Sequence, residues 1–171
     1  ENLGKSFGFA RPAVDGITLS IAPGECVALV GPSGCGKSTL LRLIAGLEIP
    51  TTGEIFLDGR NLAEVPAHER GVAMVFQRPA LIPQHTVRKS LQWGWTLRHP
   101  FRGLVEWFRP RRLQGEELRK TARVLGLEGL LDRRVADLSG GEQQRVSLGR
   151  CLLREASVLL FDEPLSQLDA P

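Results

Sequence analysis

Apolar runs and segments of helical periodicity follow one another along the chain, and this pattern predicts a mixed α/β fold. Residues 25–30 are almost all apolar, as expected for a strand buried on both faces of a parallel sheet. Residues 39–45 have the apolar spacing of a helix that ends at Gly46. Residues 71–76 and 158–161 are two more apolar runs of strand length. Together these segments predict strands that alternate with helices.

Two other segments predict antiparallel structure. Residues 16–21 alternate between apolar and polar side chains, which is typical of a strand with one solvent-exposed face. Residues 53–57 form a short strand pattern followed by Asp58-Gly59, a dipeptide typical of a hairpin turn. We therefore expect antiparallel edge strands beside the parallel sheet.

The middle of the chain is predicted to be helical. Pro79 and Pro83 break the pattern after residue 77, and residues 84–137 lack the alternation of strands. Leu118, Ala122 and Leu125 recur at helical spacing in this segment. We interpret the segment as a helical insertion in the α/β core.

This insertion carries basic and aromatic residues close together, among them Trp107, Phe108, Arg109, Arg111 and Arg112. Charges of this kind most often solvate helices, which is the simpler interpretation. The alternative is a loop near a membrane surface, because such residues also bind lipid headgroups. Replacing Arg109, Arg111 and Arg112 by Glu should then weaken association with anionic liposomes or with a membrane partner.

Residues 31–39 fit the phosphate-binding pattern Gly, four residues, Gly-Lys-Ser/Thr, between a predicted strand and a predicted helix. Glycines let backbone N–H groups surround phosphate oxygens, and the helix N-terminus adds partial positive charge. Lys37 can reach the β and γ phosphates, and the Ser38 hydroxyl can ligate Mg²⁺. A chance glycine-rich turn is the alternative. The candidate phosphate-binding residues are Gly31, Pro32, Ser33, Gly34, Cys35, Gly36, Lys37, Ser38 and Thr39.

The apolar run at residues 158–161 ends in two acids, Asp162 and Glu163. A carboxylate at a strand end near a phosphate loop can hold Mg²⁺, and a second one can deprotonate an attacking water. We therefore predict Asp162 as the metal residue and Glu163 as the general base. A strand that merely ends in acids would be preferred if this stretch stood alone.

Residues 138–145 contain a second candidate anion site. Ser139 and Glu142 have the spacing of a capping box, which is enough to begin a helix. Capping does not explain Gly140 and Gly141 between them. These glycines leave backbone N–H groups exposed at the positive end of a helix.

Composition indicates which classes of protein this chain can belong to. Hydrophobic residues make up 42% and charged residues 24% of 171 residues, which is typical of a folded globular protein. No apolar run approaches the roughly 20 residues that span a bilayer, and a net charge of +3 does not imply nucleic acid. Cys26, Cys35 and Cys151 are far apart, so we expect reduced packing residues. The three histidines form no cluster.

The order of these motifs resembles that of the ATP-binding cassette (ABC) family of ATPases. The resemblance is carried by the phosphate loop, Gln77 at a strand end, Leu-Ser-Gly-Gly-Glu-Gln-Gln-Arg and Leu-Leu-Phe-Asp-Glu-Pro. It implies a RecA-like P-loop NTPase core with an antiparallel β subdomain and an inserted helical subdomain. Residues 1–78 would hold the β subdomain and the first part of the core, residues 79–137 the helical subdomain, and residues 138–171 the signature helix and the Asp-Glu strand.

The resemblance also implies roles for single residues. The family works as a head-to-tail dimer in which Ser139, Gly140, Gly141 and Glu142 of one copy complete the ATP site around Lys37 of the other. Gln77 resembles the glutamine that senses Mg²⁺ and the γ-phosphate. Phe7 resembles the aromatic residue that stacks on adenine, although a core phenylalanine is an equal alternative. Ser166, Leu168 and Asp169 resemble a loop that crosses the dimer interface.

Within the family, residues 66–77 and 80–83 look most like importer ATPases for sugars or glycerol phosphate, and importers of polyamines, iron or anions share much of this stretch. The implied ligands are ATP and Mg²⁺. The implied partners are a second ATPase, membrane permease subunits and a solute-binding protein at the cytoplasmic face of the membrane, without nucleic acid. A soluble ABC ATPase of DNA repair or translation is the alternative. The chain lacks an initiator Met and the family's last strands, so we expect a fragment truncated at its C-terminus.

Overall fold

The computed structural model describes residues 1–8, 11–96 and 111–164, except for the side chains of residues 111–114. The chain divides into two compact units, Glu1–Val72 and Ala73–Pro171. This division falls inside the strand predicted at residues 71–76. The finer division at residues 78 and 137 stays a prediction.

The first unit contains two small antiparallel sheets. β1 (Leu3–Lys5) pairs with β2 (Val14–Ile17), and β3 (Phe56–Leu57) pairs with β4 (Arg60–Asn61). Asp58 and Gly59 connect β3 to β4 with φ angles of 50° and 76°. Positive φ at both central residues is what a tight hairpin turn of the primed type requires. The hairpin predicted from Asp58-Gly59 is therefore confirmed.

Helix α1 (Lys37–Ala45) is bounded by two left-handed glycines, Gly36 with φ 96° and Gly46 with φ 77°. The Gly46 N–H donates to the Leu43 carbonyl at 3.1 Å, which closes the C-terminal end of the helix. Leu43 is fully buried against Leu3 and Val14. The helix predicted behind the phosphate loop is confirmed, and its apolar side packs on the β1–β2 sheet.

The strand predicted at residues 25–30 is wrong. These residues form no strand, and Val30 is 94% exposed. A strand buried on both faces needs pairing strands at its edges and side-chain layers on both sides. Within the described part of the first unit, both sheets consist of two strands, and neither includes residues 25–30. The alternating pattern at residues 16–21 also forms a strand only as far as Ile17.

The described residues from Val72 onward form a strand pair and three helices. β5 (Val72–Val75) pairs with β6 (Val158–Phe161), as their apolar runs predicted. β6 is only partly buried, because Leu159 and Phe161 are exposed. The helices are α2 (Val87–Thr96), α3 (Arg111–Val124) and α4 (Gly140–Leu153). The helical interpretation of the middle segment is confirmed by α2 and α3.

The three helices enclose one apolar core. Its fully buried members come from α2, α3, α4 and the loops between them, namely Val87, Leu91, Ala122, Leu127 and Val146. Short 3₁₀ turns at Glu128–Leu130 and Val135–Asp137 lead from α3 into α4. In the described ranges, no helix has the length and apolarity that crossing a membrane would require.

α2 and α4 cross at glycines. A Cβ atom added to Gly94 of α2 would lie 2.8 Å from the Cα of Arg150 in α4. One added to Gly149 of α4 would lie 2.6 Å from a Leu91 methyl carbon. Real Cβ atoms do not approach that closely. Gly94 meets backbone atoms and therefore needs to be glycine at this helix distance, whereas a side chain at residue 149 would require the Leu91 side chain to shift.

Candidate functional site

The phosphate loop of the first unit is built by backbone conformations that favour glycine. Gly34 and Gly36 have φ angles of 80° and 96°. A Cβ atom on Gly36 would also collide with the backbone carbonyl of Ala13. Residues 31–36 therefore lead into the N-terminus of α1 with a backbone conformation that residues other than glycine rarely adopt. The end of that helix carries the partial positive charge that attracts anions.

Lys37 is the first residue of α1, and its ammonium group folds over the loop. Nζ donates to the carbonyl oxygens of Gly31 and Pro32 at 2.8 Å each. The Cys35 Sγ lies 3.8 Å from the same nitrogen. The positive charge is thus held against the loop backbone.

The cysteines differ from the expectation of three packing residues. Cys151 is buried, and burial raises the pKa of its thiol. Cys26 and Cys35 are exposed, so the packing role predicted for them is wrong. The exposure of Cys35 follows from its place in a loop that is open to solvent.

Phe7 is not a core residue. Its side chain is 51% exposed, and the Lys5 Nζ lies 4.9 Å from the centre of its ring. This geometry suits a cation–π contact. The core alternative for Phe7 is therefore excluded, and stacking on adenine stays a prediction.

Arg70 is a buried arginine at the C-terminal end of α1, and no residue pattern pointed to it. Its guanidinium donates to the carbonyls of Leu43 and Ile44 in the last turn of the helix, at 2.9 and 3.2 Å. It also donates to the Val65 and Leu62 carbonyls at 2.8 and 3.0 Å. A cation at a helix C-terminus is favourable, and the guanidinium adds a donor to the Leu43 carbonyl, which also accepts from the Gly46 N–H, and to the Ile44 carbonyl. Burial lowers the pKa of this guanidinium.

In the second unit, two of the predicted site residues meet. The Gln77 Nε2 donates to the Glu163 Oε2 at 2.9 Å, although the two residues are 86 positions apart. The Asp162 N–H donates to the Val75 carbonyl at 2.9 Å, and Asp162 is only 7% exposed. Extension of the β5–β6 pairing to Asp162 thus places both acids beside the segment that follows β5.

Glu163 has a backbone conformation that is uncommon for a residue with a side chain. Its φ is 47°, in the left-handed region. Non-glycine residues there cost about 1–3 kcal/mol when nothing local compensates, and such residues cluster at functional sites. The turn moves the chain away from the strand direction directly after Asp162.

Residues 138–145, called here the signature segment, form the predicted capping box. The Ser139 side chain accepts from the Glu142 N–H at 3.3 Å, and the Glu142 carboxylate accepts from the Ser139 N–H at 2.7 Å. Gly140 and Gly141 occupy the first turn of α4 between them. The hydrogen bonds from Ser139 lower the pKa of the Glu142 carboxyl, and Arg145 and Arg133 contribute less.

Several predicted residues lie outside the described residues. These are Ser166, Leu168 and Asp169 of the predicted interface loop, and Trp107, Phe108 and Arg109 of the basic segment. Arg111 and Arg112 lie in α3, but their side chains are not described. The roles predicted for all of these residues stay predictions.

The candidate metal residues offer only oxygen atoms. Ser38 supplies a hydroxyl, Gln77 an amide oxygen and Asp162 a carboxylate. Oxygen donors with one carboxylate are what Mg²⁺ prefers, so the chemistry of this set fits the ion. Within the described residues, no three His, Cys, Asp or Glu side chains converge on a metal-binding position.

Sequence reasoning also missed Gln144, which is 4% exposed. Its Nε2 donates to the Phe76 carbonyl at 3.3 Å, next to Gln77. The available signal was its register: Gln144, Ser147 and Cys151 are three and four residues apart on one side of α4, and all three are buried. A polar side chain in such a buried stripe indicates a specific partner.

A scan of protein-family models matches residues 14–166 to the family described as ABC transporter. Among curated proteins, the sn-glycerol-3-phosphate import ATP-binding protein UgpC of Salmonella typhi is 47% identical over 166 residues, which is 97% of this chain. The protein of the same name in Escherichia coli O6:H1 is 46% identical over the same length. This chain spans 44% of the length of each of these relatives.

Solved structures show the same fold. The dimeric ATP-binding cassette MJ0796 bound to ADP and Pi superposes with a TM-score of 0.84 at 29% identity, over 99% of this chain and 75% of that one. The cassette MJ1267 superposes with a TM-score of 0.80 at 28% identity, over 99% of this chain and 69% of that one. The predicted α/β fold of the P-loop NTPase kind is thereby confirmed.

Proposed function

The chain belongs to the ABC transporter family, and on that premise we propose that it is the nucleotide-binding part of the ATP-hydrolysing subunit of an importer. The observation that carries this proposal is the 47% identity, over 97% of the chain, to a glycerol-3-phosphate import ATP-binding protein. We propose sn-glycerol 3-phosphate or a sugar as the imported solute.

In this proposal, the phosphate loop binds the triphosphate of ATP. The backbone N–H groups of residues 31–39 surround the phosphate oxygens, and the left-handed glycines keep side chains out of the way. Lys37 would exchange its two carbonyl contacts for oxygens of the β and γ phosphates. Its charge then offsets the negative charge that spreads over the γ-phosphate in the transition state.

Ser38, Gln77 and Asp162 would hold Mg²⁺, through their hydroxyl, amide and carboxylate oxygens. The ion supplies neutralisation of the phosphate charge when it is bound. The buried position of Asp162, fixed by its backbone bond to Val75, limits the directions in which its carboxylate can face.

Glu163 acts as the general base. One carboxylate oxygen takes a proton from a water molecule while the water oxygen forms a bond to the γ-phosphorus, and the bond to the ADP oxygen breaks. The Gln77 amide, 2.9 Å from the Glu163 Oε2, orients the carboxylate for this step. Hydrolysis therefore depends on Gln77 through the position of Glu163 as well as through the ion.

We further propose that two copies form the complete site. Ser139, Gly140, Gly141 and Glu142 of one copy would bind the γ-phosphate of ATP on the other, Phe7 would stack on adenine, and Asp169 would lie at the interface. Permease subunits and a solute-binding protein would complete an importer at the cytoplasmic face of the membrane. Gly140, which is exposed, and Gly141, which is half-buried, support this assignment, since they lie in the first turn of α4, at its positive end.

The test uses the full-length protein in an Escherichia coli strain that lacks its own sn-glycerol-3-phosphate import ATP-binding protein. We expect it to restore uptake of radiolabelled sn-glycerol 3-phosphate, and the Lys37→Ala variant to restore none. ATP hydrolysis by the purified protein without any restored uptake would overturn the proposed imported solute. No hydrolysis with any permease would overturn the proposed activity.

A further inference from the structure

We infer that α4 clamps the segment around Gln77 from both sides, and that Gln144 and Arg150 are positioning residues for the Gln77–Glu163 contact. The inference rests on the proposed function, because the contact matters only if Glu163 is the base. It adds two residues, on a helix that also begins with the signature segment.

The first point of the clamp lies just before Gln77. The Gln144 Nε2 donates to the carbonyl oxygen of Phe76 at 3.3 Å. The amide is almost completely buried, and its Oε1 has no hydrogen-bond partner among the described residues. A buried amide that satisfies only part of its bonding capacity is costly for stability alone, which favours a positioning role.

The second point lies just after Gln77. The Arg150 Nη1 donates to the carbonyl oxygen of Ala80 at 2.7 Å, and burial lowers the pKa of the guanidinium. A charged donor at this distance makes one of the stronger kinds of hydrogen bond. One helix thus binds the carbonyls of residues 76 and 80, and Gln77 lies between them.

The same helix is also attached to the strand that leads into this segment. The Cys151 Sγ lies 3.5 Å from the Met74 carbonyl, and Cys151 packs in a small core with Ala73 and Val75. A shift of α4 would therefore carry the backbone on both sides of Gln77 with it. Because Gln77 Nε2 is 2.9 Å from Glu163 Oε2, such a shift alters the orientation of the carboxylate.

The first experiment measures the clamp without any catalysis. Backbone hydrogen exchange of the full-length protein should be about tenfold faster in residues 76–82 for Gln144→Met with Arg150→Met, and unchanged in α2. The control is Arg123→Met, which removes an exposed guanidinium paired with Glu128. Equal exchange rates in the wild type and the double variant would overturn the clamp.

The second experiment asks whether the clamp acts through Gln77. Arg150→Met should lower kcat roughly tenfold with little change in KM for ATP, and less than twofold when Gln77 is already Ala. Arg150→Lys, which keeps a charged donor, should recover most of the loss. A purely structural role for Arg150 predicts the same factor in both backgrounds, and that result would overturn the positioning role.

The two experiments also separate the inference from the proposed function. If the wild-type protein hydrolyses no ATP, the proposed function fails, and the clamp is decided by the exchange rates. If it hydrolyses ATP and the two backgrounds respond equally, the proposed function stands and the positioning role fails.

Discussion

At the scale of single residues, Glu163 combines three features that restrict its carboxylate. It follows a buried aspartate, it has a φ of 47°, and its carboxylate accepts a hydrogen bond from Gln77 at 2.9 Å. Each feature restricts where the carboxylate can lie. A restricted carboxylate is what general-base catalysis needs, since proton transfer depends on a short and defined distance.

We expect Glu163→Gln to lower kcat for ATP hydrolysis by about 10²- to 10⁴-fold, because an amide cannot take the proton from water. ATP binding should be retained, since the phosphate loop is unchanged. Single-turnover hydrolysis and equilibrium binding of a fluorescent ATP analogue would measure the two quantities. Glu64→Gln, which changes an exposed carboxylate, is the matched control. Wild-type turnover in Glu163→Gln would refute the base assignment.

Arg70 stabilises α1, the helix that follows the phosphate loop. Arg70→Met should lower the free energy of unfolding by about 2–4 kcal/mol, because four backbone carbonyls lose a buried charged donor. Urea unfolding of the full-length protein followed by circular dichroism would measure it. Arg60→Met removes an exposed guanidinium from β4 and should change stability by less than about 0.5 kcal/mol. An equal effect of the two substitutions would contradict the proposed role of Arg70.

At the scale of elements, the start of α4 links stability to pH. The hydrogen bonds from Ser139 hold the pKa of Glu142 below its usual value of 4.5. A carboxyl whose pKa is lowered by folding stabilises the fold when it is ionised. Its contribution is therefore complete above pH 4.5 and is lost as the pH falls through the lowered pKa.

We accordingly expect Glu142→Gln to be less stable than the wild type at pH 7, by under about 1 kcal/mol because the group is partly exposed. The difference should shrink as the pH falls below 4.5, since the wild-type carboxyl becomes neutral like the amide. Urea unfolding at pH 7, 5 and 3.5 would test the trend. A difference that grows toward acid pH would contradict the assignment.

The crossing of α2 and α4 gives a prediction with a built-in control. Gly94→Ala should lower the free energy of unfolding by about 1–3 kcal/mol, because its methyl group meets the backbone of Arg150. Among the described residues, nothing lies near a carbon added at Gly115 of α3, and alanine favours helix over glycine by about 0.5–1 kcal/mol. Thermal unfolding should thus move in opposite directions for the two variants. A shift in the same direction would contradict the packing argument.

Elements were predictable from sequence where local rules decide them. The turn at Asp58-Gly59, the capping box of Ser139 and the left-handed end of α1 at Gly46 all depend on neighbours within a few residues. Residues 25–30 were not predictable in this way. Their apolar run indicates burial, but a strand forms only where another strand pairs with it.

At the scale of the whole molecule, the described part of the first unit leaves many apolar side chains exposed. They include Leu19, Ile21, Val30, Leu47 and Ile49. We expect residues 1–171 alone to bind a hydrophobic dye and to unfold at a lower temperature than the full-length protein. Dye fluorescence and calorimetry of both chains would measure this. Equal dye binding and equal melting temperatures would contradict it.

The parts of the candidate site that belong to short sequence motifs were predictable. The phosphate loop, Gln77, the signature segment and the acids are short patterns whose chemistry is local. The Gln77–Glu163 contact spans 86 positions, and the partners of Arg70 and Arg150 are backbone carbonyls with no sequence signature. A hydrogen bond to a distant carbonyl depends only on tertiary structure, so no residue pattern predicts it.

The glycine crossing has a further consequence for how the second unit can move. The neighbours of Gly94 along α2 are Trp93 and Trp95, so a one-residue change of helix register, with its rotation, would bring a tryptophan to the point where Gly94 meets the backbone of α4. The register of the two helices is therefore fixed, because only glycine at residue 94 permits this distance between them. We therefore expect α2 and α4 to move as a pair, with the exposed Trp93 on the outer side of α2.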